Sequence, residues 1–190
     1  MRNVVRCCGI LLTLWMVLSC SHALKKTGWD FEKSAVRLHI KADNKLNLFN
    51  NKAHTLYVCF YQMQEITAFD KLSAEPSGIR QMLECRLFDD SMVSAHSKVI
   101  HPGEDIVLTL DRAENARHFG IVAGYSEELN SERVVRRHRF QVKLKEEGIF
   151  QRVVKCEPCD ISLEVALGPG QIEYSKVMPK PEEKCTDECE

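Results

Sequence analysis

The sequence predicts a β-sandwich of about seven or eight strands that carries one short helical insertion. Apolar and polar residues alternate in several short segments, which is typical of strands with one buried face. Turn-forming residues separate these segments at regular intervals, as they do in sandwiches. Between residues 65 and 90 the apolar spacing changes to that of a helix. These three patterns together indicate a mainly β domain.

Two strands joined by a polar loop open the predicted domain. Val36, Leu38 and Ile40 alternate with charged or polar side chains, which predicts a half-buried strand over residues 36–42. The segment Leu56–Met63 (LYVCFYQM) is aromatic and β-branched throughout, as expected for a central strand with both faces covered. The loop between these strands is rich in Asn and Lys.

The insertion is predicted to form two short helices. Phe69 and Leu72 are three residues apart, and the later apolar residues are spaced along one helical face: Ile79, Met82, Leu83 and Leu87. Ser77 and Gly78 are expected to break the chain between the two helices.

The remaining strands follow turn signals. Residues 106–110 alternate after an HPGE turn, and residues 119–125 (FGIVAGY) form an apolar run whose glycines indicate close approach by a neighbour. Residues 134–144 alternate as one strand. Residues 161–167 and 172–177 flank a GPG turn, which predicts a closing hairpin.

The first twenty residues indicate export. Arg2 and Arg6 precede an apolar run at 9–18, which has the length of a signal peptide and is too short to span a membrane as a helix. The run ends in Val-Leu-Ser-Cys, which resembles the bacterial lipobox and implies cleavage before Cys20 and its lipidation by more than one acyl chain. Ser21, in place of the Asp that favours inner-membrane retention, makes outer-membrane anchoring the expectation. The alternative is an ordinary signal peptide with a chance cysteine.

The composition fits one globular domain. In 190 residues, 26 Lys and Arg nearly balance 27 Asp and Glu, and the formal net charge is −1. This balance excludes the basic field that non-specific nucleic-acid binding requires. We expect a signal peptide at 1–19, a lipidated tether at 20–34, the sandwich at 35–177 with its insertion at 65–90, and a polar tail at 178–190.

Six cysteines follow Cys20, and an oxidising compartment favours disulfides among them: Cys59, Cys85, Cys156, Cys159, Cys185 and Cys189. We expect Cys59 to pair with Cys85 and hold the insertion against the sheet, with two buried free thiols as the alternative. The bonds Cys156–Cys159 and Cys185–Cys189 would then close short local loops. The competing arrangement bonds Cys156 or Cys159 to the tail.

The Cys-Glu-Pro-Cys motif has two other interpretations. A redox dithiol needs a helix N-terminus or a nearby cation to lower a thiol pKa, whereas this motif lies between two strand-like segments. A zinc site would need Cys185 and Cys189 as its second pair, in a polar tail. The sequence also has no nucleophile elbow, no His-Glu-x-x-His and no glycine-rich phosphate loop, so we expect no enzyme, cofactor or metal.

Residues 133–139 (RVVRRHR) carry four arginines and a histidine. In a strand, Arg137 and Arg139 point to one side and Arg136 and His138 to the other, so they do not form one basic stripe. A solvated strand near a sheet edge is favoured. Attraction to anionic lipid or to an acidic partner is the alternative.

Several motifs together resemble the TssJ lipoproteins of the bacterial type VI secretion system. They are the lipobox, the loop KADNKLN, the strand YVCFYQM, the helical insertion, FDD, the PGE turn and the strand ARHFGIVAGY. The resemblance implies a transthyretin-like sandwich on the inner leaflet of the outer membrane. It also implies binding to the periplasmic C-terminal part of the inner-membrane protein TssM, with TssL completing the complex. The later cysteines, and the lack of a tryptophan-arginine pair after Tyr125, depart from the family pattern.

In that family the loop between the first two strands meets TssM, so the resemblance assigns partner binding to this loop. Its residues are Asn44, Lys45, Leu46, Asn47, Leu48, Phe49, Asn50, Asn51 and Lys52. Leu48 and Phe49 are the apolar candidates for contact, and the alternative places them under the loop as a satellite of the core. The rival function is a tethered periplasmic thiol-redox or ligand-binding β-sandwich.

Overall fold

The computed structural model describes residues 26–127, 129–147, 153–178 and 184–187. The predicted signal peptide, the lipid-attachment residue Cys20 and the tail residue Cys189 lie outside these ranges. Within them, the chain forms two four-stranded sheets, one three-stranded sheet and three short helices. No helix in the described part of the chain is long and apolar enough to cross a membrane.

Two sheets form the layers of the predicted sandwich. Sheet I contains, in spatial order, β4 (Met92–Ile100), β3 (Leu56–Met63), β6 (His118–Ala123) and β7 (Val135–Arg139). Sheet II contains β11 (Ile172–Val177), β10 (Ile161–Leu167), β2 (Glu32–Ala42) and β5 (Asp105–Arg112). Neighbouring strands are antiparallel except β2 and β10, which run parallel. These eight strands confirm the predicted mainly β sandwich.

The strands of sheet II alternate between inward and outward side chains, as predicted. On β2, Val36, Leu38 and Ile40 are buried, whereas Arg37 and Lys41 are exposed. The neighbouring strand β10 has the same alternation. The inward side chains of β2 and β10 belong to one core cluster with those of sheet I.

Sheet I is covered on both faces. One face of β3 packs into the sandwich, where the Phe60 ring lies 6.2 Å from the Phe119 ring. On the other face, Tyr61 contacts the rings of Phe69 and Phe88 at 6.0 and 5.5 Å. A Cβ on Gly120 of β6 would lie 2.5 Å from the Phe69 ring, so glycine allows this close approach. The helical insertion therefore covers the outer face of sheet I.

The insertion contains α1 (Thr67–Ser73) and α2 (Pro76–Met82), and the predicted break at Ser77 and Gly78 is wrong. The chain breaks instead just before Pro76, which supplies a helix N-terminus. Gly78 lies inside α2, where a Cβ would come within 2.0 Å of the Leu72 carbonyl oxygen. This glycine lets α2 pack against the end of α1. Leu87, predicted on the helical face, follows α2 and is exposed.

The single strand predicted over residues 134–144 is also wrong. Its residues fall into α3 (Ser131–Val134), β7 of sheet I, and β8 (Val142–Glu147), which belongs to a third sheet. Between β7 and β8, Phe140 is buried against Phe119, and its N–H donates to the Arg117 carbonyl at 2.9 Å. The chain thus leaves sheet I, although polar and apolar residues continue to alternate along the sequence.

Sheet III has the order β1 (Lys26–Thr27), β9 (Val153–Pro158) and β8, and was not predicted. It includes part of the predicted tether, because β1 pairs with β9. Another part of the tether belongs to sheet II, because β2 already begins at Glu32. Sheet III also holds part of the predicted polar tail, because Thr186 forms a bridge with Val142. Backbone pairing thus extends the fold beyond the predicted limits of 35–177.

Two disulfides join distant parts of the described chain. Cys59 of β3 is bonded to Cys85 after α2, with Cα atoms 5.6 Å apart, which confirms the predicted link between sheet and insertion. Cys85 lies beyond the end of α2, not inside it as expected. Cys159 is bonded to Cys185, so the predicted local loops Cys156–Cys159 and Cys185–Cys189 are wrong. Cys156 already lies within β9, and Cys159 follows it and reaches the tail.

Candidate functional site

The loop between β2 and β3, residues 43–55, lies at one end of the sandwich, which we call the loop end. The β4–β5 turn at 101–104, the chain after β6, and the β10–β11 turn at 168–171 lie at the same end. Loops collected on a rigid sheet scaffold are a common place for binding sites. The loop end is therefore the place to look for a partner surface.

Backbone hydrogen bonds tie the root of this loop to its neighbours. The Asp43 N–H donates to the Leu167 carbonyl at 2.8 Å, and the Asp43 carbonyl accepts from the Gly103 N–H at 3.1 Å. Farther along, the Leu48 N–H donates to the Pro169 carbonyl at 2.7 Å. The loop is thus fixed to both adjacent turns before any partner binds.

The HPGE turn fits against the loop because of its glycine. Gly103 has a φ angle of 72°, and a Cβ there would lie 2.5 Å from Oδ1 of Asn44. The turn is closed by the His101 N–H, which donates to Oε2 of Glu104 at 2.7 Å. The Pro-Gly-Glu motif therefore has a local structural role beside the loop.

Leu46 and Asn47 form a buried base for the loop. Leu46 is part of the core, and only 5% of Asn47 is exposed. The Asn47 Nδ2 donates to the Thr55 carbonyl at 2.9 Å, and its Oδ1 accepts from the Ser126 N–H at 2.8 Å. Asn47 also has a φ angle of 47°, which asparagine tolerates better than most residues. These two residues hold the loop and are not available for partner contact.

The tip of the loop is a two-residue turn that presents Phe49. The N–H groups of Phe49 and Lys52 each donate to the other residue's carbonyl, at 2.9 and 3.0 Å. Asn50 and Asn51 between them have φ angles of 50° and 58°, as a type I′ turn requires. Phe49 is 45% exposed, and its ring meets His54 edge-on at 6.4 Å.

The structure thus divides the predicted binding residues into two groups. Leu46 and Asn47 are buried and Leu48 is half-buried. The exposed residues are Asn44, Lys45, Phe49, Asn50, Asn51 and Lys52. Leu46 belongs to the main core and Phe49 is exposed, so the alternative in which Leu48 and Phe49 form a satellite of the core is wrong for Phe49. Partner contact, if it uses this loop, falls to the exposed tip.

A polar strip on sheet II adjoins the loop. The Lys41 Nζ lies 2.8 Å from Oε1 of Glu164, and the Tyr174 hydroxyl donates to the same carboxylate oxygen at 3.1 Å. The hydrogen bond from Lys41 lowers the pKa of Glu164, and the bond to Glu164 raises the pKa of Lys41. A cavity of about 320 Å³ lies between this strip and the loop and is lined in part by Asp43 and Pro169.

Tyr125 supports the loop end, and sequence reasoning did not single it out. Its hydroxyl donates to the Gln171 carbonyl at 2.6 Å, and burial raises the pKa of its phenol. Next to it, the Ser126 N–H is the donor that holds Asn47. The only signal in the sequence is the position of this aromatic residue just after a buried strand.

The basic residues of β7 do not form a patch, as the alternation predicted. Arg136 points inward and donates to the Ile172 carbonyl, and Nε2 of His138 lies 2.6 Å from the Ser175 hydroxyl. Arg137 points outward and binds Asp70 of α1. The side chains therefore join β7 to sheet II on one side and to the insertion on the other.

The described residues offer little for metal or thiol chemistry. They contain no group of three or more His, Cys, Asp or Glu side chains that could hold a metal ion. All five described cysteines, including Cys156 and Cys159 of the Cys-Glu-Pro-Cys motif, are disulfide-bonded.

Sequence comparison identifies a family. The family described as T6SS-SciN, type VI secretion lipoprotein (VasD, EvfM, TssJ), matches residues 34–170, which is more than half of the chain. No curated protein sequence matches the chain.

Solved structures share the fold. The lipoprotein TssJ1 from Pseudomonas aeruginosa has a TM-score of 0.56 and 20% identity, over 77% of this chain and 97% of that chain. Lip of Serratia marcescens, a membrane-bound component of the type VI secretion system, has a TM-score of 0.50 and 14% identity, over 76% and 97%. A chain in the structure of the TssM C-terminal domain from EAEC has a TM-score of 0.52 and 14% identity, over 76% and 98%.

Proposed function

Because the chain belongs to the family of type VI secretion lipoproteins that includes TssJ, we propose that it is the outer-membrane adaptor of such a system. In this proposal, lipid on Cys20 holds the domain at the periplasmic face of the outer membrane. The loop end binds the periplasmic C-terminal region of TssM, and TssL completes the complex across the envelope.

The observation that carries this proposal is the exposed Phe49 at the tip of a fixed loop. An aromatic side chain that enters a partner pocket is a frequent centre of binding energy. The turn at Asn50 and Asn51 and the hydrogen bonds of Asn47 order the loop in advance. Binding therefore costs little additional conformational entropy.

Charged and amide side chains are exposed on the same loop as this aromatic tip. They are Asn44, Lys45 and Lys52. An apolar centre with a polar, solvent-accessible rim is the usual composition of a protein interface. The lysines favour a partner surface with negative charge, because complementary charges speed association.

The path of the chain supports an orientation in which the loop end faces away from the outer membrane. Lys26 of β1 follows Cys20 by six residues, which span at most about 20 Å. From the end of the sandwich opposite the loop end, β2 then runs for 11 residues, about 35 Å, to the loop. An anchored protein would thus hold its loop end away from the membrane and toward a periplasmic partner.

The experiment is a binding measurement with the full-length lipoprotein in detergent and the periplasmic C-terminal region of TssM. We expect Phe49→Ala to raise the Kd about 30-fold, which corresponds to a loss of about 2 kcal/mol. Phe31→Ala is the matched control, since Phe31 is 58% exposed and lies just before β2, at the opposite end of the sandwich. It should leave the affinity unchanged.

The melting temperatures of both variants should equal that of the wild type, because both side chains face solvent. Equal affinity for Phe49→Ala and wild type would refute the loop-end site. A similar loss in both variants would also refute it, because the effect would then not be specific to the loop end.

A further inference from the structure

A polar cavity of about 340 Å³ lies between the end of β5, the segment before β2, and sheet III. It lies at the end of the sandwich opposite the loop end, because β5 ends there and β2 begins there. Its lining includes Asp30, Glu32, Arg112, Lys143, Glu157 and Asp160. The proposed TssM-binding loop does not contribute to it.

Arg112 is the unusual member of this lining. Only 3% of the residue is exposed, yet Nε and Nη1 have no hydrogen-bond partner within the described part of the chain. Nη2 donates to the Asp30 carbonyl at 3.0 Å. Burial lowers the pKa of the guanidinium. A buried cation with unused donors is costly.

The register of β5 places Arg112 in this position. Ile106, Leu108 and Leu110 point into the sandwich, and Arg112 continues the same side of the strand. A residue at this register position would be apolar if packing alone decided it. Arg112 therefore interrupts an apolar face at the place where the cavity opens.

The guanidinium keeps a complete binding edge. Arginine has five N–H donors arranged on two edges that each fit a carboxylate. The Asp30 carbonyl engages one N–H of Nη2, so one edge retains both of its donors. A carboxylate placed there would satisfy the buried charge in bidentate fashion.

The other charges in the lining indicate what else the ligand carries. Glu157 is already paired with Lys145 and Lys155, at 3.3 and 3.4 Å. The carboxylates whose charges act on Arg112 are those of Glu32, Asp160 and Asp30. A simple anion would be repelled by these carboxylates, whereas a molecule with an ammonium group beside its carboxylate would match both signs. We propose that this cavity binds a small zwitterion of amino-acid form, with its carboxylate on Arg112 and its ammonium group near Glu32.

Three small molecules test the two charged groups of the ligand one at a time. L-Alanine carries both groups, propionate lacks the ammonium group, and ethylamine lacks the carboxylate. We expect 20 mM alanine to raise the melting temperature of the detergent-solubilised full chain by about 3 °C, through binding to the folded state alone. Propionate and ethylamine at the same concentration should have no effect.

Variants assign the effect to the cavity. Arg112→Met should abolish the response to alanine, whereas Arg37→Met, which removes an exposed arginine from neighbouring β2, should retain it. Glu32→Gln should weaken the response several-fold by removing one carboxylate from the ammonium side. This exposed substitution also keeps the test valid if Arg112→Met does not fold.

Equal shifts with alanine and propionate would overturn the proposal, because they would indicate a site for anions only. An unchanged response in Arg112→Met or in Glu32→Gln would overturn it as well. The absence of any shift with alanine in the wild type would leave Arg112 as a purely structural cation and refute the proposal.

Discussion

Sheets I and II have similar size but different surroundings. Sheet II presents a polar outer face to solvent, and its strands alternate regularly between buried and exposed side chains. In sheet I the insertion covers the outer face, so β3 and β6 are buried almost throughout. The same strand geometry thus produces two different sequence patterns, and the difference is caused by what packs on the second face.

The covering insertion also explains the glycine and the cysteine in the strands of sheet I. Gly120 makes room for the Phe69 ring, and Cys59 is bonded to Cys85 beyond α2. Arg137 of β7 adds an ion pair to Asp70 of α1. Within the described part of the chain, no comparable element covers sheet II, where Lys41 and Glu164 pair across the open face. Covering a sheet therefore requires specific residues on both the sheet and the covering element.

The substitution with the largest expected effect on stability removes the main contact between the insertion and sheet I. Phe69 is fully buried against Tyr61 and beneath the Arg137 guanidinium. We expect Phe69→Ala to lower the free energy of unfolding by about 4 kcal/mol, because it leaves a cavity between the two layers. Denaturant unfolding of the full chain measures this loss.

Tyr174→Ala is the control for Phe69→Ala on the open face of sheet II. Tyr174 also contacts neighbours, since its ring lies under the Lys176 ammonium at 4.4 Å, but it is exposed. Its removal should leave the unfolding midpoint unchanged. Losses of equal size at the two positions would contradict the distinction between a covered and an open sheet.

The second test concerns the disulfide that joins the insertion to sheet I. Cys59 and Cys85 are separated by 26 residues, and removing the bond with Cys59→Ala and Cys85→Ala should cost about 3 kcal/mol in the chain-entropy model. It should also speed tryptic cleavage at the exposed Lys71, Arg80 and Arg86 of the insertion.

The bond between Cys159 and Cys185 gives a matched comparison, because its separation is also 26 residues. The double alanine variant there should lose a similar amount of stability without faster cleavage in the insertion. If both variants expose the insertion equally, the Cys59–Cys85 bond has no local role.

The sequence predicted most strands of the two sheets better than their connections, although it did not predict β4. Alternation in β2 and the apolar run of β3 depend on nearby burial, so both were predicted correctly. The passage from β7 to β8 could not be predicted, because Phe140 turns the chain into another sheet without breaking the pattern. Gly78 was misread as a break because its role depends on Leu72, a contact between two helices.

The candidate site shows the same limit. The sequence named Phe49 as a contact candidate and left its burial open, and it could not separate the exposed Phe49 from the buried Asn47. That separation depends on Ser126, which lies 79 residues away in the chain. The buried position of Arg112 likewise depends on Asp30 and sheet III, both distant from it in sequence.

The prediction with the smallest expected effect concerns the seam where β7 of sheet I meets β11 of sheet II. His138 lies there beside Ser175, and burial, with a smaller effect from the charge of Arg136, lowers its pKa to about 4. An unfolded chain protonates this histidine near its ordinary pKa of about 6.5. Between these two values the unfolded state binds more protons, so the folded state loses stability as the pH falls.

We expect the acid-induced loss that His138 causes to be about 2 kcal/mol at pH 5, relative to pH 7. His138→Gln cannot titrate and can still hydrogen-bond, so it should lack this part of the loss. His39→Gln, on the outer face of sheet II, should keep it because His138 is still present. Denaturant unfolding at several pH values measures the difference. Identical pH profiles for wild type and His138→Gln would contradict the burial of His138 at the seam. They would also contradict the view that β11 covers the β7 edge of sheet I, in addition to the layers that cover its two faces.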